Sequence, residues 1–371
     1  MKNITYIISQ VNKSTSFELT AKLLDRKKFR LSFILMHDRN SALEDFLRLN
    51  NIRVDRVNYS SKKDLPSAVF YIRKFLKAHQ TEIVHTHLFE GCLAGLVASR
   101  LAGIKTRIHT RHNSTIHHQY HKSTVKYDRL INLLSTKIVA VSATVKRVLT
   151  DLEGVSPEKI NIIHHGFRMN EFNEIAEDRI QRLRTKYHLE NKSHPVIGVI
   201  SRYIHWKGIQ YIISAFKKIR ETYPEAHLIL ANAGGPYENE IKSLLRDLPV
   251  NCYTEIVFEE DVNALYKLFD IFVHTPIDSD SEAFGQVYVE ALAAGIPSVF
   301  TLSGIAPDFI SNKNNALIVD FKNSEEIEKA VIEIQNNKVL RKQLIDEGRK
   351  SALELFGIER MIHQLEELYE K

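Results

Sequence analysis

The chain has 371 residues, 44% of them hydrophobic and 26% charged, a globular composition long enough for two separate cores, with no uninterrupted apolar run long enough to span a bilayer. Its two cysteines, Cys92 and Cys252, are far apart, which excludes a disulfide framework and suits a reducing compartment. The formal net charge of +6 hides a split: residues 1–190 hold 32 Lys and Arg against 18 Asp and Glu, and residues 191–371 hold 19 against 27. A basic first half points to an anionic surface or acceptor, such as phospholipid, a lipid diphosphate or an acidic saccharide. The basic residues are scattered and carry no nucleic-acid motif, so nucleic acid is not an expected partner. The first nine residues read as a strand, too short for the apolar core of a signal peptide. A soluble, cytoplasmic chain is the expectation.

Residues 3–9, 31–37, 52–58, 83–88, 107–112, 137–142 and 161–165 are short β-rich runs separated by stretches of helical length, among them 17–25, 65–77 and 91–102. Strands alternating with helices indicate βαβ units and a parallel sheet. The turn after the first run, Ser9-Gln-Val-Asn-Lys-Ser-Thr-Ser16, offers Ser and Thr helix caps but no glycine. His85 and His87 alternate along one strand and so share a face, and His109 and His112 end the next. A metal cluster is one reading of these imidazoles. With seventeen histidines in the chain and no acidic or Cys partner at ligand spacing, no metal site is expected. The basic, aromatic stretch 116–127 reads as a flap toward an acceptor or a membrane.

Residues 169–195 are polar and mark the domain boundary as a linker. A second series of strands follows at 196–201, 227–233, 255–258, 271–275, 298–301 and 316–320, with helices between and a final helical pattern at 358–369. Ala231-Asn-Ala-Gly-Gly-Pro236 reads as a tight turn. Val199-Ile-Ser-Arg202-Tyr-Ile-His-Trp-Lys207-Gly208 leaves the first strand of this series. It places an Arg fork and a Lys point charge where a helix begins, suited to stabilising a departing phosphate.

The richest stretch is Ser281-Glu-Ala-Phe-Gly-Gln-Val-Tyr-Val-Glu-Ala-Leu-Ala-Ala-Gly-Ile-Pro-Ser298. It follows a buried strand, and 284–294 has helical length, with Gly295 and Pro297 as its stop. The amide groups of such a helix start cradle anions. Glu282 precedes the helix. Glu290 lies in its apolar body, where a carboxylate needs a specific partner such as a sugar hydroxyl. The two are separated by roughly two helical turns, on the order of 10 Å, too far to flank one glycosidic bond as the paired carboxyls of a retaining glycosidase do.

Glu282-Ala-Phe-Gly-Gln-Val-Tyr-Val-Glu290, followed by Ala-Leu-Ala-Ala-Gly-Ile-Pro, resembles the Glu-x7-Glu signature of family 4 retaining glycosyltransferases. The resemblance implies an α/β chain of GT-B fold, two Rossmann-like parallel-sheet domains facing across a cleft. Residues 1–168 would form the acceptor-side domain, 169–195 a linker region, 196–355 the nucleotide-sugar domain, and 356–371 a helix crossing back to the first domain. It further implies that Arg202 and Lys207 match the family's Arg-x4-Lys phosphate motif. Glu282 would lie by the donor sugar with the backbone of Phe284, Gly285 and Gln286, and Glu290 would hold the ribose. Thr110-Arg-His112-Asn113 matches the family's Thr-x-His, whose His borders the donor sugar. Arg202, Lys207, Glu282 and His112 are thus the expected catalytic set. No metal and no cofactor are expected beside a UDP-, GDP- or ADP-sugar donor. The acceptor would be a saccharide or lipid-linked glycan of a surface polysaccharide such as lipopolysaccharide or capsule, met at the inner face of the plasma membrane. A nucleotide-sugar epimerase of the same fold, or a non-catalytic subunit binding nucleotide sugar or membrane, are the alternatives. The chain departs from the family in its glycine-free first turn, in His164-His165-Gly166 and in Ile305-Ala-Pro-Asp308.

Overall fold

The computed structural model describes residues 1–190 and 195–371; residues 191–194, at the end of the expected linker, lie outside the described residues. Strands β1 (Lys2–Ser9), β2 (Phe29–Met36), β3 (Arg53–Val57), β4 (Ile83–His87), β5 (Thr106–Arg111), β6 (Lys137–Ala140) and β7 (Ile160–Ile162) form one parallel sheet in the order β3-β2-β1-β4-β5-β6-β7. Strands β8 (Val196–Ile200), β9 (His227–Ala231), β10 (Tyr253–Ile256), β11 (Ile271–His274), β12 (Ser298–Phe300) and β13 (Leu317–Ile318) form a second, also parallel, ordered β10-β9-β8-β11-β12-β13. The expected α/β class with two Rossmann-like sheets is what the chain adopts.

The inner strands are buried on both faces, as in β8, β9 and β11, whereas the edge strand β3 alternates exposed and buried positions. In β1, Ile4, Tyr6 and Ile8 enter the core on one face while Ile7 enters the core on the other. The same parity runs through β2, with Phe33 and Leu35 on one side and Ile34 and Met36 on the other. In both sheets the strand order reverses once, between β1 and β4 and between β8 and β11. Ligands of open α/β sheets bind beyond the strand carboxyl ends at such reversals.

The chain divides into two compact units, Met1–Phe167 with Ile358–Lys371, and Arg168–Gly357. The terminal helix Ile358–Glu370 belongs to the first because Ile358, Met361, Ile362, Leu365, Leu368 and Tyr369, at helical spacing, enter the core that β1 and β2 build. The stretch expected as a linker is mostly structured instead: Asn170–Asn173 and Glu177–Lys186 are helices of the second unit. Ile180 and Leu183 are buried, and Arg179 makes a two-pronged bond to Asp261 at 2.9 and 2.5 Å. Its polarity is that of the solvent face of an amphipathic helix.

The glycine-free turn after β1 adopts the left-handed backbone without glycine: Gln10 has φ +54°. Leu88, ending the strand on the other side of that reversal, has φ +61°. For a bulky residue this conformation stores on the order of 1–3 kcal/mol, and such strain is concentrated at functional loops.

Candidate active site

The reversal in the second sheet brings together two loops that are far apart in sequence. Lys207 ends a single 3-10 turn, His205–Lys207, after β8, and Glu282 lies in the loop after β11. Lys207 Nζ donates to Glu282 Oε1. His274, the last residue of β11, brings Nε2 to 3.3 Å from the same oxygen, a contact off the hydrogen-bond axis. The Glu282 N–H donates to Ser303 Oγ at 3.2 Å. Burial alone would push the Glu282 carboxyl up, but Lys207 and His274 outweigh it and hold it down to about 2. Burial lowers His274 from its ordinary value, against the pull of Glu282. Glu282 is therefore held as a carboxylate against the Lys207 side chain.

Two glycines make this approach possible. Gly208 has φ +76°, and a Cβ there would stand 1.9 Å from the Thr275 carbonyl oxygen. Gly304 has φ +62°, and a Cβ there would meet Glu282 Cβ and the Phe284 carbonyl oxygen, each at 2.6 Å. Any side chain at either position would push the β8 or β12 loop off the β11 loop.

Arg202 sits at the same strand end as Lys207, exposed, and makes no ion pair among the described residues. Its guanidinium is available to a ligand. The helix after Glu282 runs Gln286–Ala293, two residues shorter at its start than the sequence implies, because Gly285 turns left-handed at φ +81°. Phe284 is turned into the core, edge-on to Phe356 at 5.9 Å; only its backbone faces the loop. The first bond of this helix is Tyr288 N–H to the Gly285 carbonyl, so the amides of Gly285, Gln286 and Val287 are left over as donors. Glu290 is half-buried and accepts from Tyr266 OH at 2.9 Å. Burial pushes its carboxyl up to about 7, with the Tyr266 bond opposing.

His112 lies in the first unit, just past β5. Its Nε2 is 3.1 Å from His87 Nδ1, and its ring stacks on His165 at 5.5 Å with planes 8° apart. Burial pushes it down to about 3, with His165 and His85 acting the same way. It is a neutral hydrogen-bonding group. His85 and His87 share a face as expected, with ring centroids 4.3 Å apart. His85 is committed on both sides, with Nδ1 to Tyr369 OH at 2.6 Å and Nε2 to Thr110 Oγ1 at 2.8 Å. Among the described residues no group of three or more His, Cys, Asp or Glu is arranged to hold a metal.

Two family models account for most of the chain: glycosyltransferase family 4 matches residues 14–171, and glycosyl transferases group 1 matches residues 181–351. The chain belongs to the family 4, group 1 glycosyltransferases. The chain is 26% identical to mannosylfructose-phosphate synthase of Agrobacterium fabrum over 67% of its own length, and spans 56% of that enzyme. It is 21% identical to an Escherichia coli UDP-Gal:alpha-D-GlcNAc-diphosphoundecaprenol alpha-1,3-galactosyltransferase, covering 94% of this chain and 90% of the other. Anabaena HepE in complex with UDP-glucose superposes over the whole of both chains with a TM-score of 0.84 at 18% identity, a likeness of GT-B fold.

Sequence reasoning missed several residues around these carboxylates. His274 ends an apolar strand and reads as core. Ser303 and Gly304 belong to a loop the motif does not include. Tyr266, which meets Glu290, lies 24 residues upstream on another helix. The available signal was the position of His274 and Ser303 just at or past strand ends, where an open parallel sheet presents its loops.

Proposed function

We propose that the transferase moves a hexose or related sugar from a nucleoside diphosphate donor to a hydroxyl acceptor, with retention at the anomeric carbon. The observation that carries this reading is the Lys207–Glu282 pair at the reversal of the second sheet. As the bond between the sugar C1 and the phosphate oxygen breaks, negative charge grows on the leaving diphosphate. Lys207 and Arg202 stabilise that charge, as a divalent metal does in other transferases, and the amides of Gly285 and Gln286 add to it. Glu282 accepts from sugar hydroxyls and Glu290 from the ribose. His112, on the first unit, offers a neutral hydrogen-bonding group suited to a sugar oxygen. The acceptor oxygen bonds to C1 on the face the diphosphate leaves. Its proton passes to a leaving phosphate oxygen, so no protein base is assigned.

The donor is a UDP-, GDP- or ADP-sugar. The names of the galactosyltransferase and of HepE's ligand support uridine first, and a lipid-linked saccharide of a surface polysaccharide as acceptor. The test is a thermal-shift panel of UDP, GDP and ADP with their sugars. One nucleoside diphosphate at a hundred times its Kd should add about 2.7 kcal/mol and raise the unfolding temperature by several degrees. No shift with any of the three at millimolar concentration would sink the reading.

A lipid-linked acceptor is met at an anionic membrane surface, and a face of the first unit suits that encounter. Among the described residues no helix is long and apolar enough to cross a membrane. The helix Val125–Leu134 exposes Tyr127, Leu130 and Leu133 with Lys126 and Arg129 among them, while its one acid, Asp128, is buried against Arg111. Apolar side chains ringed by cations are what an interfacial helix presents to anionic lipid. Sedimentation with phosphatidylglycerol-containing vesicles should weaken several-fold as salt rises from about 0.1 to 0.5 M, and should fall in Leu130→Asp/Leu133→Asp. Binding indifferent to both changes would remove this face from the proposal.

A further inference from the structure

β4 and β5 run in parallel register with His87 opposite Thr110, so His112 emerges two residues past that pairing and its ring can turn back onto His87. The contact joins His87 Nδ1 and His112 Nε2 at 3.1 Å. Neither ring is charged. Burial drives His87 well below its ordinary value, and neighbouring imidazoles, His85 and His112 first, push the same way. Between two neutral imidazoles one N–H must donate to the other's lone pair, and there are only two ways to arrange it.

If His112 Nε2–H donated, His87 would carry its own proton on Nε2. That nitrogen is buried and has no hydrogen-bond partner among the described residues. It belongs to a ring held in aromatic surroundings, with Tyr6 stacked at 5.1 Å and 17°, and Phe17 edge-on at 4.8 Å. A buried N–H without an acceptor is among the rarest features of folded proteins, and an unshared lone pair is the smaller omission. The alternative leaves only the lone pair unshared: His87 Nδ1–H donates, His112 Nε2 accepts, and the His112 proton sits on Nδ1. His112 is half-buried, and its Nδ1 is neither enclosed nor bonded to the protein among the described residues. His85, tied to Tyr369 and Thr110, closes the other side of the His87 ring and prevents its rotation.

We propose that His87 is a positioning residue that locks His112 in its Nδ1–H tautomer, so that the transferase presents a hydrogen-bond donor, and not an acceptor, to an oxygen of its sugar substrate. The use of that donor on a sugar rests on the function proposed above; the tautomer does not.

The test is a two-bond proton–nitrogen spectrum of the full-length protein labelled with [15N]histidine, His112 being assigned by the signals lost in His112→Gln. The expected pattern is a protonated Nδ1 and a bare Nε2. The reverse pattern, or an even exchanging mixture, overturns the proposal. His87→Asn sets an amide N–H near the place of Nδ1, whereas His87→Leu fills the space and removes the donor. The Asn variant should keep the His112 pattern and the Leu variant should lose it; identical spectra in the two would also overturn the proposal. Release of UDP from UDP-glucose should follow: kcat lower by about tenfold in His87→Leu and within a few-fold of the parent in His87→Asn, with KM for the donor little changed. Should the parent not turn over UDP-glucose at all, the substrate reading fails while the spectrum still decides the tautomer.

Discussion

Replacing Lys207 with alanine should lower kcat by about 10²–10³-fold, the loss seen when one donor to a developing anion is removed. The ammonium lies on Glu282, in the loop that precedes the Gln286–Ala293 helix. Without it the leaving diphosphate faces a bare Glu282. Nucleotide affinity should therefore fall as well, by about tenfold, and Lys207→Arg should recover binding better than turnover, since the guanidinium restores charge but not the point geometry. Unchanged turnover in Lys207→Ala would remove the pair from the mechanism.

The same variant carries a signature in stability. In the folded protein burial raises the Glu282 carboxyl, but Lys207 and His274 more than offset this and hold it down to about 2, against an ordinary value of 4.5. A depressed carboxyl contributes stability that is complete above the unfolded value and is lost as pH falls from about 4.5 toward 2. The shift is worth roughly 3 kcal/mol at most. The gap in unfolding temperature between parent and Lys207→Ala should be widest above pH 5 and should close on acidification. A gap independent of pH would mean that the ion pair is not what the variant removes.

The fold was legible because the inner strands, such as β1, β8, β9 and β11, are mostly apolar runs of four to eight residues, with helical stretches of charged and apolar residues between. Strand edges moved by one to three residues, and the helix expected at 284–294 starts two residues later, after the left-handed Gly285. The linker was misread since solvent-facing charge on a helix of ten residues, Glu177–Lys186, cannot be told from loop polarity when only Ile180 and Leu183 are buried. Within the site, Lys207 and Glu282 could be named because each follows its strand at motif spacing. Their direct contact was not legible, since it depends on β8 and β11 being neighbours, a fact of topology. The pairing of His87 with His112 likewise follows from the β4–β5 register, and Tyr266 comes to Glu290 through tertiary packing alone.

Glu290→Gln should separate two properties of that residue. Burial pushes its carboxyl up to about 7, although the Tyr266 hydroxyl donates to it and pulls the other way. A folded value raised above the unfolded 4.5 means stability that is complete below about 4.5 and is lost as pH rises through 7, because the ionised form is poorly solvated in the fold. The amide keeps an acceptor for Tyr266 and never ionises. The unliganded variant should therefore be the more stable protein at pH 8, by on the order of 1–3 kcal/mol, with the advantage gone near pH 4.5. Nucleotide binding should move the opposite way. Ribose hydroxyls that donate to the carboxylate favour its charged form, so binding must expel a proton below pH 7. Affinity for the nucleoside diphosphate in the parent should then fall by up to tenfold per pH unit below 7, over and above whatever the phosphates contribute. In Glu290→Gln that extra dependence should vanish, and the affinity at pH 8 should be about 10–100-fold weaker, the worth of charge-assisted bonds to the ribose. Calorimetric titrations of parent and variant between pH 5.5 and 8.5 measure both. Parallel pH profiles would place the ribose elsewhere and leave Glu290 as a partner of Tyr266 alone.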